Sequence, residues 1–99
     1  MNPLQMLRNF HAALEPLQGR VLRLELKEIG HGPQLTLLGP LILPAFGRAD
    51  VTIRAKLEDY FALALRREDP DTLFFSRRMV IEGDTALGLV VKNALDSLG

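Results

Sequence analysis

Few side chains in this sequence have the types and spacing that suit chemistry. The two histidines, His11 and His31, stand in no recognisable metal-ligand motif. Glu82 and Asp84 are close enough along the chain to suggest a general acid and base, but at a strand-to-helix junction they point in different directions. Asp84 also suits the N-cap of the following helix. We therefore predict no metal site and no catalytic residue.

The sequence contains no nucleophile in a known arrangement. Ser76 and Ser97 have no histidine near them in the chain, and neither a Gly-x-Ser-x-Gly turn nor a glycine-rich phosphate loop occurs. The lack of cysteine excludes a disulfide scaffold, a thiolate zinc site and a thiol nucleophile, and it favours a cytoplasmic location. We predict a protein that is not an enzyme and carries no cofactor. An enzyme whose Asp, Glu and His residues are assembled from distant parts of the chain stays as an alternative.

Composition narrows the class of protein further. The chain has 99 residues with 12 basic and 12 acidic side chains, which predicts one domain over residues 1–99 and argues against nucleic acid as a partner. Hydrophobic residues make up 47%, yet there is one tyrosine and no tryptophan, so the apolar mass is aliphatic. Because no apolar run approaches 18 residues, and because Arg8, His11 and Glu15 interrupt residues 1–17, we expect neither a membrane span nor a signal peptide. The aliphatic surplus is the first indication of function.

The hydrophobic periodicity predicts an α+β domain. Apolar residues recur every three or four positions over residues 4–17, which is typical of a helix, with Asn2 as its cap and Pro3 in its first turn. Apolar and polar residues alternate near 22–27, 34–37 and 50–56, which predicts strands. The run 41–43 before Pro44 predicts a further strand, either buried on both faces or at an edge of the sheet.

The rest of the chain returns mainly to helical spacing. Leu57, Phe61 and Leu65 form a stripe that predicts a second helix, and Asp69 followed by Pro70 predicts the start of a short third helix. Residues 78–82 alternate as a fifth strand. The clearest amphipathic stripe predicts a final helix and consists of Leu87, Val90, Val91, Ala94, Leu95 and Leu98. The predicted order is a helix, three or four strands, a helix, a short helix, a strand and a helix.

Arginine pairs at 66–67 and 77–78 flank the aromatic residues Phe74 and Phe75. Aromatic side chains there could enter a membrane interface while the arginines meet anionic headgroups. The simpler interpretation is that the phenylalanines belong to the core and that the arginines are solvated or paired with Asp69 and Asp71. Peripheral membrane contact is therefore kept as a hypothesis.

Three short segments fall in a recognisable order: Ala-Asp-Val-Thr-Ile at 49–53, Asp-Pro-Asp-Thr at 69–72 and Ile-Glu-Gly-Asp at 81–84. They lie in a stretch, 19–98, that resembles the sterol carrier protein type 2 superfamily, most sharply over residues 68–96. The resemblance implies an α+β fold with a five-stranded, mainly antiparallel sheet covered by helices. It also implies a hydrophobic tunnel for a lipid and no catalytic residue.

The resemblance implies a function as well. The chain is similar to the members of this superfamily that serve bacterial ubiquinone biosynthesis as carriers or scaffolds for a prenylated quinone intermediate, with hydroxylases of the peptidase U32 type as partners. Residues 31–46 are short and rich in glycine and proline where relatives carry a longer hairpin, so the tunnel mouth is expected to differ. The candidate lipid-binding residues are Leu57, Phe61, Phe74, Phe75, Met79, Ile81, Leu87, Val91 and Leu95.

The same elements allow a second function. If aliphatic side chains fill the core completely, the outer face of the last helix or an exposed sheet edge would hold partner proteins, and the domain would be an interaction scaffold. Aliphatic walls would suit a lipid carrier, because each buried methylene contributes about 0.8 kcal/mol. The two functions differ in whether space remains between the sheet and the helices.

Overall fold

The computed structural model describes residues 2–96, and within them the elements follow the predicted order. The α+β class is confirmed. Ser97 and Leu98, which the sequence analysis named, lie outside the described residues. The elements are α1 (Pro3–Ala13), a 3-10 turn (Glu15–Leu17), β1 (Leu22–Leu26), β2 (Gln34–Leu38), β3 (Leu41–Pro44), β4 (Val51–Ala55), α2 (Leu57–Ala64), α3 (Pro70–Phe75), β5 (Met79–Gly83) and α4 (Thr85–Asp96).

The predicted helix caps are present. The side chains of Asn2, Asp69 and Asp84 each accept a hydrogen bond from the backbone N–H three residues further on, at 2.7, 2.8 and 3.1 Å. Each bond satisfies a donor that the first turn of a helix leaves free. The first helix ends at Ala13, earlier than the predicted 17. Pro16 has no N–H to continue the helical bonding, and the chain tightens there into the 3-10 turn.

The five strands form one sheet in the order β3-β2-β1-β4-β5. Three neighbouring pairs are antiparallel, which confirms the mainly antiparallel sheet. The fourth pair, β1 with β4, is parallel, so the sheet is mixed. Strand β3 lies at one edge, and of the two alternatives for its position the edge is therefore correct. Its exposed residues Leu41 and Ile42 fit that position.

The two faces of the sheet differ in chemistry. On the inner face, buried side chains of β1, β2, β4 and β5 form one core with residues from the helices. On the outer face, Arg54 of β4 forms ion pairs with Glu25 of β1 and Glu82 of β5. The hydrogen bond from Arg54 holds the pKa of Glu25 below its ordinary value. The alternation predicted for the strands thus separates an apolar face from a charged one.

Helix α4 approaches the sheet closely at Gly88. A Cβ atom at this position would lie 2.1 Å from Cγ2 of Ile81 and 3.3 Å from Cγ2 of Val51, which leaves room only for glycine. This close approach packs Leu87 into the core, where it is 5% exposed. The N-terminal half of α4 is therefore pressed onto β4 and β5.

Candidate functional site

A cavity of about 680 Å³ lies between the helices and the inner face of the sheet. Sites for small molecules usually have volumes of about 300–1,000 Å³. All five strands, the four α-helices, the 3-10 turn and the α2–α3 loop contribute to its wall. The apolar and aromatic residues that line it are Phe10, Leu14, Leu17, Leu22, Leu24, Leu35, Leu37, Ile42, Ile53, Tyr60, Leu63, Ala64, Pro70, Met79, Val91 and Leu95.

Two polar contacts hold α2 over this cavity. The Tyr60 hydroxyl lies 2.9 and 3.0 Å from the backbone carbonyl oxygens of Glu25 and Ile53, and it donates its hydrogen to one of them at a time. Burial raises the pKa of Tyr60 to about 12, so the hydroxyl keeps this hydrogen at neutral pH. At the preceding position, the buried carboxylate of Asp59 accepts a hydrogen bond of 3.1 Å from Nε of Arg78. These bonds fix the rotation of the helix.

The interior of the cavity suits an apolar ligand. Among the residues that the structure describes, the one polar side chain on the inner wall is that of Tyr60, and it is occupied with the backbone carbonyls. The remaining inner wall consists of hydrocarbon side chains, which attract a ligand by removing its apolar surface from water. The wall consists largely of Leu, Ile, Val and Met side chains, which can adapt to apolar ligands of different shapes.

Charged residues lie at the mouth of the cavity, in the α2–α3 loop and at the C-terminal end of α4: Arg66, Arg67, Glu68, Asp69 and Asp96. Two of them have structural partners. Glu68 accepts a hydrogen bond from Arg78, and the carboxylates of Glu68 and Asp59 together raise the pKa of that arginine. Asp69 caps α3, and the hydrogen bonds from Thr72 lower the pKa of Asp69. The polar end of a ligand would therefore meet charges at the mouth and hydrocarbon inside.

The cavity also reaches the surface beside α1. Ile42 of β3 lines the cavity while 64% of it is exposed to solvent. Phe10 of α1 lines the same region and is half-buried. No residue of α1 is buried, so this helix covers the cavity without closing it.

Three of the nine predicted lipid-binding residues line the cavity: Met79, Val91 and Leu95. Ile81 and Leu87 lie in the tightly packed region around Gly88, and Phe74 packs against the core. The other three are on the surface, where Leu57 is 47%, Phe61 58% and Phe75 77% exposed. The part that each of these nine residues takes in binding stays a prediction.

Most residues of the wall were not predicted from the sequence. The inner-face leucines of β1 and β2, together with Ile53, alternate with polar residues, and that alternation was the available signal. On α2 the stripe of Leu57, Phe61 and Leu65 faces outward. Tyr60 and Leu63, three residues apart, face the cavity instead. A helix of only eight residues offers two apolar faces, and the contacts of Asp59 and Tyr60 decide between them.

The groups considered for chemistry have other contacts. His11 lies 2.9 Å from the carbonyl oxygen of Gly39, and His31 lies 3.2 Å from the guanidinium of Arg23. Glu82 pairs with Arg54, while Asp84 caps α4. Within residues 2–96, no three His, Asp or Glu side chains are grouped so that they could hold a metal ion.

The segment of arginines and phenylalanines is divided by the fold. Arg78 pairs with Asp59 and Glu68, and Phe74 contacts the core. Phe75 is exposed and stacks edge-on against Phe74, with ring centroids 5.4 Å apart. Phe75 and three of the four arginines stay exposed, so peripheral membrane contact at this segment stays a hypothesis. No helix in the described part of the chain is long and apolar enough to cross a membrane.

A mixed five-stranded sheet with helices over an apolar cavity defines the sterol-carrier class of α+β fold. The sequence agrees, because residues 4–96 match the SCP-2 sterol transfer family, and the chain belongs to that family. The resemblance found in the sequence is thereby confirmed.

Known proteins extend this assignment. The chain is 44% identical over 86 residues to the ubiquinone biosynthesis accessory factor UbiT of Escherichia coli K12. This match covers 86% of the chain and 49% of that relative, so the chain spans about half the length of the curated relatives it matches. The chain is also similar in structure to UbiJ-SCP2, a ubiquinone synthesis protein, with a TM-score of 0.69 at 21% identity over 99% of this chain and 83% of the other.

A second solved structure has the same fold. Palmitated SCP2L2 from Aedes aegypti, studied in solution by NMR, superposes with a TM-score of 0.62 at 18% identity, over 96% of this chain and 95% of that one. At these identities the structural likenesses show the fold.

Proposed function

We propose that this chain is a single domain over residues 1–99 that binds a lipid and serves ubiquinone biosynthesis in the cytoplasm as a non-enzymatic carrier or accessory factor. Its ligand on this proposal is a prenylated quinone intermediate, held with its tail in the cavity. The observation that carries the proposal is the apolar cavity of about 680 Å³ that reaches the surface. The 44% identity to the UbiT accessory factor supports the pathway.

The energetics suit a carrier. Burying about ten tail carbons would contribute on the order of 8 kcal/mol before ordering costs are subtracted. Hydrocarbon walls therefore suffice for affinity and need no ionic anchor for the tail. The proposed partners are hydroxylases of the peptidase U32 type, which would act on the polar ring while the domain shields the tail. Such a division of work needs no catalytic residue in this chain.

The interaction scaffold is the competing function, and the cavity favours the carrier over it. A scaffold needs its apolar side chains packed against one another, and a large empty space in a small domain costs stability without benefit. A carrier needs that space. The exposed edge strand β3 keeps partner binding possible for either function.

Titration with a fluorescent lipid tests the proposal. The purified protein is expected to take up the lipid saturably. Val91→Glu would place a carboxylate in the cavity wall, where a bound tail would strip it of water, so uptake should be lost. Val90→Glu is the matched control, since Val90 is on the same helix and outside the cavity wall, and it should keep uptake.

Circular dichroism establishes that both variants are folded. Absence of saturable uptake by the folded wild-type protein, or unchanged uptake by folded Val91→Glu, would contradict the carrier. Native mass spectrometry with lipid extraction then identifies the ligand, and recovery of acyl lipids without any prenyl lipid would contradict the quinone intermediate. Co-purification of the tagged chain with a U32-type hydroxylase checks the partner.

A further inference from the structure

The outward side of α2 carries apolar side chains that do not line the cavity. Leu57, Phe61 and Leu65 follow one another at intervals of four residues, which aligns them along one side of the helix and its C-cap. They are 47%, 58% and 60% exposed. We refer to these three residues as the α2 stripe. Single exposed apolar residues are common on proteins, whereas a row of three large ones indicates a binding surface.

The turn after β1 extends this surface. The backbone N–H of Leu57 lies 3.0 and 3.2 Å from the two carboxylate oxygens of Glu28, which thereby caps the N-terminal end of α2. Ile29, the next residue in the chain, is 66% exposed. The apolar surface therefore continues past the N-terminal end of the helix.

The two ends of the α2 stripe carry opposite charges. Each residue turns a helix by about 100°, so Glu58 lies beside the stripe near its N-terminal end, while Lys56 is turned to the other side. Arg66 and Arg67 follow the stripe at its C-terminal end. Glu58 and these two arginines are exposed, and none of them forms an ion pair with another residue of the described chain, 2–96. Their charges are therefore available to a partner.

A surface with this arrangement is complementary to itself. When two copies place α2 against α2 in opposite directions about a twofold axis, Phe61 meets Phe61 of the second copy, and Leu57 meets its Leu65. Glu58 then lies near the two arginines of the second copy, so that opposite charges meet at both ends. A parallel arrangement would bring like charges together at each end.

The size of the surface suits a weak dimer. Burying the α2 stripe and Ile29 of two copies, with the residues that flank them, would remove on the order of 1,000 Å² from water, which is the size of weak and reversible interfaces. The exposed aliphatic residues of α1 and the β2–β3 hairpin have no such complementarity. Residues 2–14 and 34–48 contain arginines but no Asp or Glu, so two copies that met there would bring like charges together.

We propose that the α2 stripe is a self-association surface, through which two copies of this chain pair with their α2 helices antiparallel and Phe61 beside the twofold axis. Ala64 and Arg66 line the cavity, so the second copy lies beside the mouth of each cavity. The association is argued from exposure, charge and symmetry. It requires no ligand, and its test is therefore independent of the proposed function.

Sedimentation equilibrium of the full chain without added lipid tests the association. A monomer–dimer equilibrium with a Kd in the micromolar range is expected. Phe61→Gln/Leu65→Gln should raise this Kd tenfold or more, because apolar contacts at the centre of the interface are lost. Leu7→Gln/Leu41→Gln is the matched control, since these residues are 63% and 58% exposed on the other apolar surface, and it should dimerise as the wild type does. Circular dichroism establishes that both variants are folded.

Charge reversal tests the antiparallel pairing. Glu58→Lys by itself, and Arg66→Glu/Arg67→Glu by itself, should each raise the Kd about fivefold at low salt, because like charges then meet at both ends. An equimolar mixture of the two variants should recover the wild-type Kd, since every contact between the two different chains again joins opposite charges. Sedimentation velocity with one variant fluorescently labelled measures the mixed dimer.

Three results would overturn the inference. A wild-type chain that stays monomeric at several hundred micromolar would leave the α2 stripe to a different protein as partner. Equal losses in both glutamine variants would mean non-specific association of exposed apolar surface. A mixture of the charge-reversed variants that associates no better than either variant alone would exclude the antiparallel pairing.

Discussion

The two halves of α4 meet the sheet in opposite ways. At Gly88 the helix backbone is so close that a single added methyl group would overlap Ile81. Three and seven residues later, Val91 and Leu95 line a cavity of about 680 Å³. The same apolar stripe of α4 therefore packs tightly on the sheet at its N-terminal half, which we call the packed end. At its C-terminal half, which we call the open end, it lines the cavity. Hydrophobic periodicity therefore marks which side of a helix is apolar, whereas the distance between backbones decides whether that side is filled.

The largest expected change in the free energy of unfolding is produced by a ligand bound at the open end of α4. A ligand that binds only the folded state at a free concentration of one hundred times its Kd should stabilise the protein by about 2.7 kcal/mol. Thermal unfolding with and without a long-chain prenyl lipid measures this shift. Val91→Glu should show no shift, and an equal shift in that variant would place the ligand outside the cavity.

The second effect belongs to the packed end. Gly88→Ala should lower the free energy of unfolding by about 1–2 kcal/mol, because overpacking against Ile81 outweighs the gain in helix propensity. Urea denaturation measures the change. In an Ile81→Ala background, which removes the overlapping Cγ2, the same substitution should become neutral or stabilising. Additive losses in the double variant would argue against a packed end.

Enlarging a side chain at the open end should lower the free energy of unfolding less than Gly88→Ala does. Val91→Phe adds far more volume than Gly88→Ala, yet the cavity can accept it, so we expect a change in unfolding free energy within about 1 kcal/mol. Lipid uptake should fall severalfold in the same variant, because the ring occupies ligand space. A loss of stability larger than that of Gly88→Ala would contradict the difference between the two ends.

The smallest expected effect is a loss of stability at low pH. The pKa of Asp69 at the mouth is lowered by hydrogen bonds from Thr72, and that of Asp50 near the packed end by the N–H of Val21. Both carboxyls therefore stabilise the fold above their unfolded pKa of about 3.8, and this contribution is lost as the pH falls through the lower folded values.

Melting temperatures should accordingly be flat from neutral pH to about pH 5 and fall below about pH 4. Asp69→Asn keeps a capping side chain and should reduce the acid dependence with little change at pH 7. A melting temperature that rises on acidification would contradict this assignment.

Several features of the site followed from the sequence. The caps at Asp69 and Asp84 set where α3 and α4 begin, because a side-chain acceptor satisfies N–H groups that the first turn leaves free. The stripe of the last helix placed Val91 and Leu95 on the side that lines the cavity.

Other features did not follow from it. The stripe of α2 suggested that Leu57 and Phe61 face inward, whereas both are exposed. Their orientation depends on bonds from Tyr60 to strand carbonyls and from Arg78 to Asp59, which join residues that only the fold brings together. Local spacing in a two-turn helix contains no information about such partners.

By itself the sequence determined the order of helices and strands, their apolar sides and the family, because these depend on neighbouring residues and on patterns that the chain carries directly. The tertiary structure decided the parallel pairing of β1 with β4, the rotation of α2 and the space under the C-terminal half of α4. These features depend on how closely distant backbones approach, and that distance is set jointly by contacts such as Gly88 on Ile81 and Tyr60 on the sheet.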